Sequence, residues 1–179
     1  AAPPDAVLDQ RKNRFLSHIE GIKRHNVGLD IDNGRYRAAL KHALELAEWD
    51  PSPSNLLALA TAYRELGPRP VDRRLDEETY DPRDSTGGRA KLMRTAAGRM
   101  AGQTHSRRAE ELFREVQVLQ PSNADALRGL GELFEVDGRL QEALQAYSKY
   151  LAAAPNAPDR RAVQLRIDSL TRATSKSRR

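Results

Sequence analysis

Apolar residues recur at three- and four-residue intervals along most of this chain. The stretch Ala124 to Val136 places Leu127, Leu130 and Phe134 on one face, and Leu140 to Ala153 does the same with Ala143, Tyr147 and Tyr150. That spacing predicts two amphipathic helices over 124–136 and 140–153, each burying one side. SNLLALATAYRELG, with Leu59, Ala60 and Tyr63, and NGRYRAALKHALELAEWDP read the same way. A long helix is expected before Gly34 over FLSHIEGIKRHNVGLDI. Near the C-terminus Val163, Ile167 and Leu170 make a single apolar line in a polar helix. The pattern fails over GPRPVDRRLDEETYDPRDSTGG, which has three prolines and a Gly-Gly pair, with only Val71, Leu75 and Tyr80 to bury. A full amphipathic helix is not expected there. A short helix near 71–79 or an ordered loop would occupy a helix slot.

Small residues and prolines punctuate the helices at fixed intervals. Leu127, Gly131, Phe134, Ala143, Tyr147 and Pro155 each lie 34 residues after Met93, Ala97, Met100, Ala109, Phe113 and Pro121. A period of this length marks a solenoid of helix pairs. Gly131 and Ala143 are small so that antiparallel helices approach closely, while Phe134 and Tyr147 fill the space between pairs. Gly138 supplies the turn, where positive φ suits glycine, and Pro155 stops the second helix. Gly34, Ala39 and Pro51 lie 70 residues before Thr104, Ala109 and Pro121, which reads as two periods plus two extra residues.

Leu-Gly, aromatic, Gly, Ala, aromatic and Pro at these offsets resemble the tetratricopeptide repeat. The resemblance implies an all-α, right-handed solenoid of antiparallel helix pairs, forming a single domain over 1–179. Repeats are expected over 20–53, 53–89 with an irregular second half and an insert at 68–88, 90–123 and 124–157. A capping helix over 158–173 and a basic tail over 174–179 follow. In this family, positions 2, 5, 9 and 12 of each first helix line a concave peptide-binding groove. Here they become Ser54, Leu57, Thr61 and Arg64, then Lys91, Arg94, Gly98 and Ala101, then Asp125, Arg128, Glu132 and Glu135. Candidate protein-binding residues are thus Thr61, Arg64, Lys91, Arg94, Arg128 and Glu132. Arg89 to Arg108 holds six basic residues and no acid, so Lys91, Arg94 and Arg128 would suit an acidic or C-terminal segment. The competing reading is that these are solvated faces, with Arg128 and Glu132 forming an i,i+4 pair. The carboxylate clamp of chaperone-binding members is not reproduced, because Thr61, Gly98 and Glu132 stand where Asn or Arg is needed.

Charge and composition narrow the chemistry. The net charge of +5 is confined to Asp159–Arg179, with seven basic and two acidic residues, so the preceding body is balanced. A balanced body is a poor footprint for nucleic acid. Zero cysteines exclude a disulfide framework, a thiol nucleophile and a cysteine metal site. No HExxH pair exists among four histidines, and His18 and His25, seven apart on one helix, lack a third ligand. LDIDNG lacks the later oxygens and glutamate of a calcium loop, and Gly87-Gly88 lacks a phosphate loop's Gly-Lys-Ser/Thr. No catalytic residues, metal or cofactor are assigned.

The strings AYRELGPRP and RAEELFREVQVLQPSNADALRGLGELFEVDGRLQEALQAYSKYLAAAPNAPDRRAV further resemble repeat domains of bacterial cell-envelope proteins. Some of those are fused to zinc metallopeptidases. That resemblance implies a periplasmic or envelope setting, with the cytoplasm as the alternative. The opening AAPPDAV, without an initiator Met, suits a mature exported protein or a trimmed chain. No apolar run long enough to span a membrane occurs, and a lipid anchor on a precursor stays open. The expected function is a non-catalytic protein–protein interaction scaffold, or an accessory subunit of an envelope complex. It would bind a protein or peptide through the groove, the 68–88 insert, or both. The alternative is a docking or regulatory domain of an enzyme whose catalytic part lies elsewhere.

Overall fold

The computed structural model of the protein describes residues 4–67 and 104–176. Among them are seven helices and no strand: α1 (Pro4–Asp32), α2 (Tyr36–Trp49), α3 (Pro53–Leu66), α4 (His105–Leu119), α5 (Ala124–Val136), α6 (Leu140–Ala153) and α7 (Arg160–Lys176). The fold is an all-α helical-repeat solenoid. The 68–88 insert and residues 90–103 of the repeat expected over 90–123 lie outside the described residues.

Local chemistry sets the helix ends. Asn123 caps α5 by accepting from the Ala126 amide at 2.9 Å, and Thr104 caps α4 by accepting from Arg107 at 3.2 Å. Pro53 opens α3, where a missing amide proton costs nothing. Gly34, Gly67 and Gly138 end α1, α3 and α5 with φ of 69°, 71° and 73°. Only glycine enters that left-handed region cheaply, so three helices turn by one device.

Helix pairs form between α1 and α2, between α3 and α4, and between α5 and α6, with α7 closing the end against α6. α4, the second helix of the repeat expected over 90–123, packs directly against α3, the first helix of the repeat expected over 53–89. The apolar face of α3 explains it: Leu59, Ala60 and Tyr63 are buried, and α4 covers them with Ala109, Leu112 and Phe113. The Tyr63 and His105 rings stack at 5.9 Å between centroids.

Small residues decide how closely the helices sit. A methyl group on Gly131 would lie 2.6 Å from Cδ1 and Cε1 of Tyr147, and one on Gly129 would lie 2.5 Å from Cε1 and Cζ of Phe113. Both rings are fully buried and have no room to retreat. In the first repeat the pattern is altered. Asp30 stands where later repeats carry an aromatic, buried against Arg35 at 2.7 Å and Nδ1 of His42 at 2.9 Å. Along α7, Val163 and Leu170 are buried and Ile167 packs against the core, as the single apolar line requires.

One substitution made at two glycines should have opposite effects. Alanine gains up to about 1 kcal/mol over glycine inside a helix, whereas overpacking a filled core costs about 1–3 kcal/mol. Gly131→Ala should therefore lower the melting temperature, and Gly28→Ala, with nothing within 4 Å of its new methyl, should raise it. Thermal melts of the two variants check the pair of signs.

Candidate functional site

The first helices of successive pairs, α1, α3 and α5, lie side by side. Their exposed faces make one surface, and polar side chains tie each helix to the next. Between α1 and α3 the tie is Asn55, which is fully buried. Its carbonyl accepts from Nε and Nη2 of Arg24 at 3.1 Å each, and its amide donates to Glu20 at 3.0 Å and to the Asp50 carbonyl at 2.9 Å. Glu20 also pairs with Arg24 one turn along α1. A recess of about 250 Å³ opens beside this cluster, lined by Leu16, Glu20, Leu46, Trp49 and Asp50.

Between α3 and α5 the tie is Arg64 with Glu132. Glu132 also accepts from Nε of Arg128 at 3.1 Å, and Arg128 reaches Asp159 at 3.1 Å, just before α7. Four side chains thus run across the surface as Arg64, Glu132, Arg128 and Asp159, with charges alternating. Thr61 sits one turn from Arg64 and donates its hydroxyl back to the Leu57 carbonyl at 2.9 Å. Thr61, Arg64, Arg128 and Glu132 therefore come together on one face, half-buried, while Lys91 and Arg94 lie outside the described residues. The i,i+4 pairing of Arg128 with Glu132 is present, and Arg128 holds a second carboxylate besides.

Three contributors carry no groove signal in the sequence. Asn55 sits beside the predicted groove position Ser54, just before an apolar run. Asp159 and Arg166 belong to the segment expected only to cap the solenoid. Arg166 approaches Glu135 at 3.5 Å and donates to the Tyr147 hydroxyl at 3.2 Å, while that hydroxyl donates to Glu135 at 2.8 Å. Burial first, and then the Glu135 carboxylate, push the Tyr147 phenol well above its ordinary pKa, so it stays a donor at any physiological pH.

A second cluster braces the α4–α5–α6 junction. Arg139 donates to Glu110 at 2.6 Å and to Glu142 at 2.6 Å, and its guanidinium lies 4.3 Å from the Phe134 ring centroid. Arg114 adds a bond to Glu110 at 2.7 Å. Burial alone would push the Glu110 carboxyl up. The hydrogen bonds from Arg139 and Arg114 outweigh it and hold the group below the usual carboxylate value of 4.5.

Among the described residues no three His, Cys, Asp or Glu side chains group as a metal site would require. His18 and His25 are both exposed on α1. No helix among these residues is long and apolar enough to cross a membrane.

Paired helices, a glycine turn within each pair and an open face built from first helices define a helical-repeat protein. Residues 101–158 match the family model for the tetratricopeptide repeat. No curated protein matches the chain. Among solved structures, MamA AMB-1 is similar at 20% identity and a TM-score of 0.35, over 89% of this chain and 84% of its own. MamA 41-end from Desulfovibrio magneticus RS-1 is similar at 16% identity and a TM-score of 0.31, over 88% of this chain and 92% of its own.

Removing Asn55 and removing Glu132 should cost different amounts. Asn55→Ala removes a fully buried amide together with its bonds to Arg24, Glu20 and the Asp50 carbonyl, at about 1–3 kcal/mol. Glu132→Gln loosens a half-exposed chain of ion pairs and should cost under about 1 kcal/mol. Chemical denaturation of both variants measures the two costs.

Glu110 gives a pH test with a fixed sign. Its folded pKa is depressed, so its contribution is present above the unfolded value and is lost as the pH falls through the folded one. The wild type should exceed Glu110→Gln in stability at neutral pH. The gap should begin to close near pH 4.5 and vanish in stronger acid, as urea titrations at several pH values would show.

Proposed function

We propose that this chain is a non-catalytic scaffold that binds another protein through the open face of α1, α3, α5 and the start of α7. The observation that carries the reading is the continuous tie of Arg64, Glu132, Arg128 and Asp159 across that face. Such a row fixes the relative positions of neighbouring helices and presents hydrogen-bonding groups at set intervals, which suits an extended segment of a partner. Side-chain exposures of 44% for Arg128 and 29% for Asp159 leave both within reach of an incoming group. A carboxylate on the partner would enter by replacing Asp159 at Arg128, exchanging one charge-assisted bond for another. Binding of an acidic segment in this way weakens as salt rises.

The proposed setting is the bacterial cell envelope, as part of a complex. Support for it comes from the resemblance carried by Ala62–Pro70 and Arg108–Val163.

A native pull-down from the source organism, with the captured chain identified by mass spectrometry, tests the reading. Thr61→Trp, which fills the face, and Arg128→Gln, which removes the exchangeable cation, should each release that chain while helical circular dichroism stays unchanged. Capture at wild-type strength by both variants would show that the partner binds elsewhere.

A further inference from the structure

The central pair α3–α4 is made from two stretches that the sequence holds far apart. Pro53–Gly67 supplies the first helix and its glycine turn, and His105–Asn123 supplies the second helix and the following loop. Together these stretches hold 34 residues, one full period, with residues 68–104 left over between them. In the flanking repeats the turn glycine runs directly into the second helix: Gly34 to Arg35, and Gly138 to Arg139. The buried alanine of the second helix then comes five residues after the glycine, as Ala39 and Ala143. Ala109, equally buried, is five residues after Gly67 once 68–104 are set aside.

The three-dimensional evidence agrees position by position. Val27, Ala60 and Gly131 share one buried register in the first helices. Ala43, Phe113 and Tyr147 share another in the second helices. Gly67 adopts the same positive φ as Gly34 and Gly138. Arg64 pairs with Glu132, so α3 and α5 are immediate neighbours in the row of first helices. Arg24 on Asn55 makes α1 and α3 neighbours in the same way. Among the described residues no first helix stands between α3 and α5.

We infer that α3 and α4 are the two halves of a single repeat, that the solenoid has three repeats and a closing helix, and that residues 68–104, which give α4 only its Thr104 cap, are an insertion at the turn of the middle repeat that the solenoid does not need in order to fold. The turn glycine is where such an insertion does least harm. The chain there has already left α3, and every buried position of both helices lies outside the inserted stretch.

Two kinds of variant test this in the full chain. Residues 68–104 are deleted, with Gly67 joined to His105 directly in one protein and through Gly-Ser-Gly in a second. At least one should remain a folded helical protein with a single cooperative melt. In parallel, Ala97→Pro is compared with Leu112→Pro. A proline at Ala97 should leave the melting temperature within a few degrees of wild type, whereas one in α4 should abolish the cooperative transition. Loss of cooperative melting in both deletion proteins would overturn the inference. So would an Ala97→Pro defect as severe as that of Leu112→Pro, because 90–103 would then be a packed repeat helix.

Discussion

Two helices of one repeat lie this close only where the first presents almost nothing against the ring of the second. Gly131 beneath Tyr147 is the tightest case within a repeat: even a methyl group would meet ring carbons at 2.6 Å. Gly129 beneath Phe113 makes the corresponding approach from one pair to the next. These contacts set how far apart the helix axes run and therefore how each pair sits on its neighbour. The buried rings, the glycine turns and the surface ties all follow from that spacing. The exposed row from Arg64 to Asp159 can span three elements because the backbones beneath it are held at short, regular distances.

The charges of that row satisfy one another. Away from it, the perturbed groups owe their shifts to burial and to their charged neighbours. Glu110 is held ionised by two arginines, and the Tyr147 phenol is held neutral by burial and a neighbouring carboxylate. In the binding mode proposed above, specificity would come from which pairs an incoming segment replaces, with Arg128 and Asp159 at the more exposed end of the row.

Much of the fold could be read from the sequence because its constraints are local. Gly138, Ala143, Tyr147 and Pro155 announce a turn, a close approach, a ring and a stop within one short stretch. The helices at 124–136 and 140–153 fall where the apolar spacing put them. The pairing of α3 with α4 was harder to read, for a countable reason. The 37 residues from 68 to 104 are nearly one period long, so a test based on spacing counts them as a repeat. Periodicity measures distance along the chain, and only packing shows which helix covers Tyr63. Part of the candidate site was legible by position, since Thr61, Arg64, Arg128 and Glu132 meet on one face. Asn55, Asp159 and Arg166 were not, because a buried amide just before an apolar run and charges near a capping helix look alike in many sequences. Their roles depend on what lies across from them.

The separation of α3 from α4 also bears on the order in which the chain folds. Helices α1 and α2, like α5 and α6, are joined by short turns and can meet quickly, while α3 must find α4 across a long intervening stretch. Closing a loop costs entropy that grows by about 0.6 kcal/mol with each doubling of its length, and distant contacts form later than near ones. The two ends of the solenoid are therefore expected to assemble as independent nuclei. The middle repeat joins them last, making it the slow step in folding and the natural seam at which the molecule first comes apart.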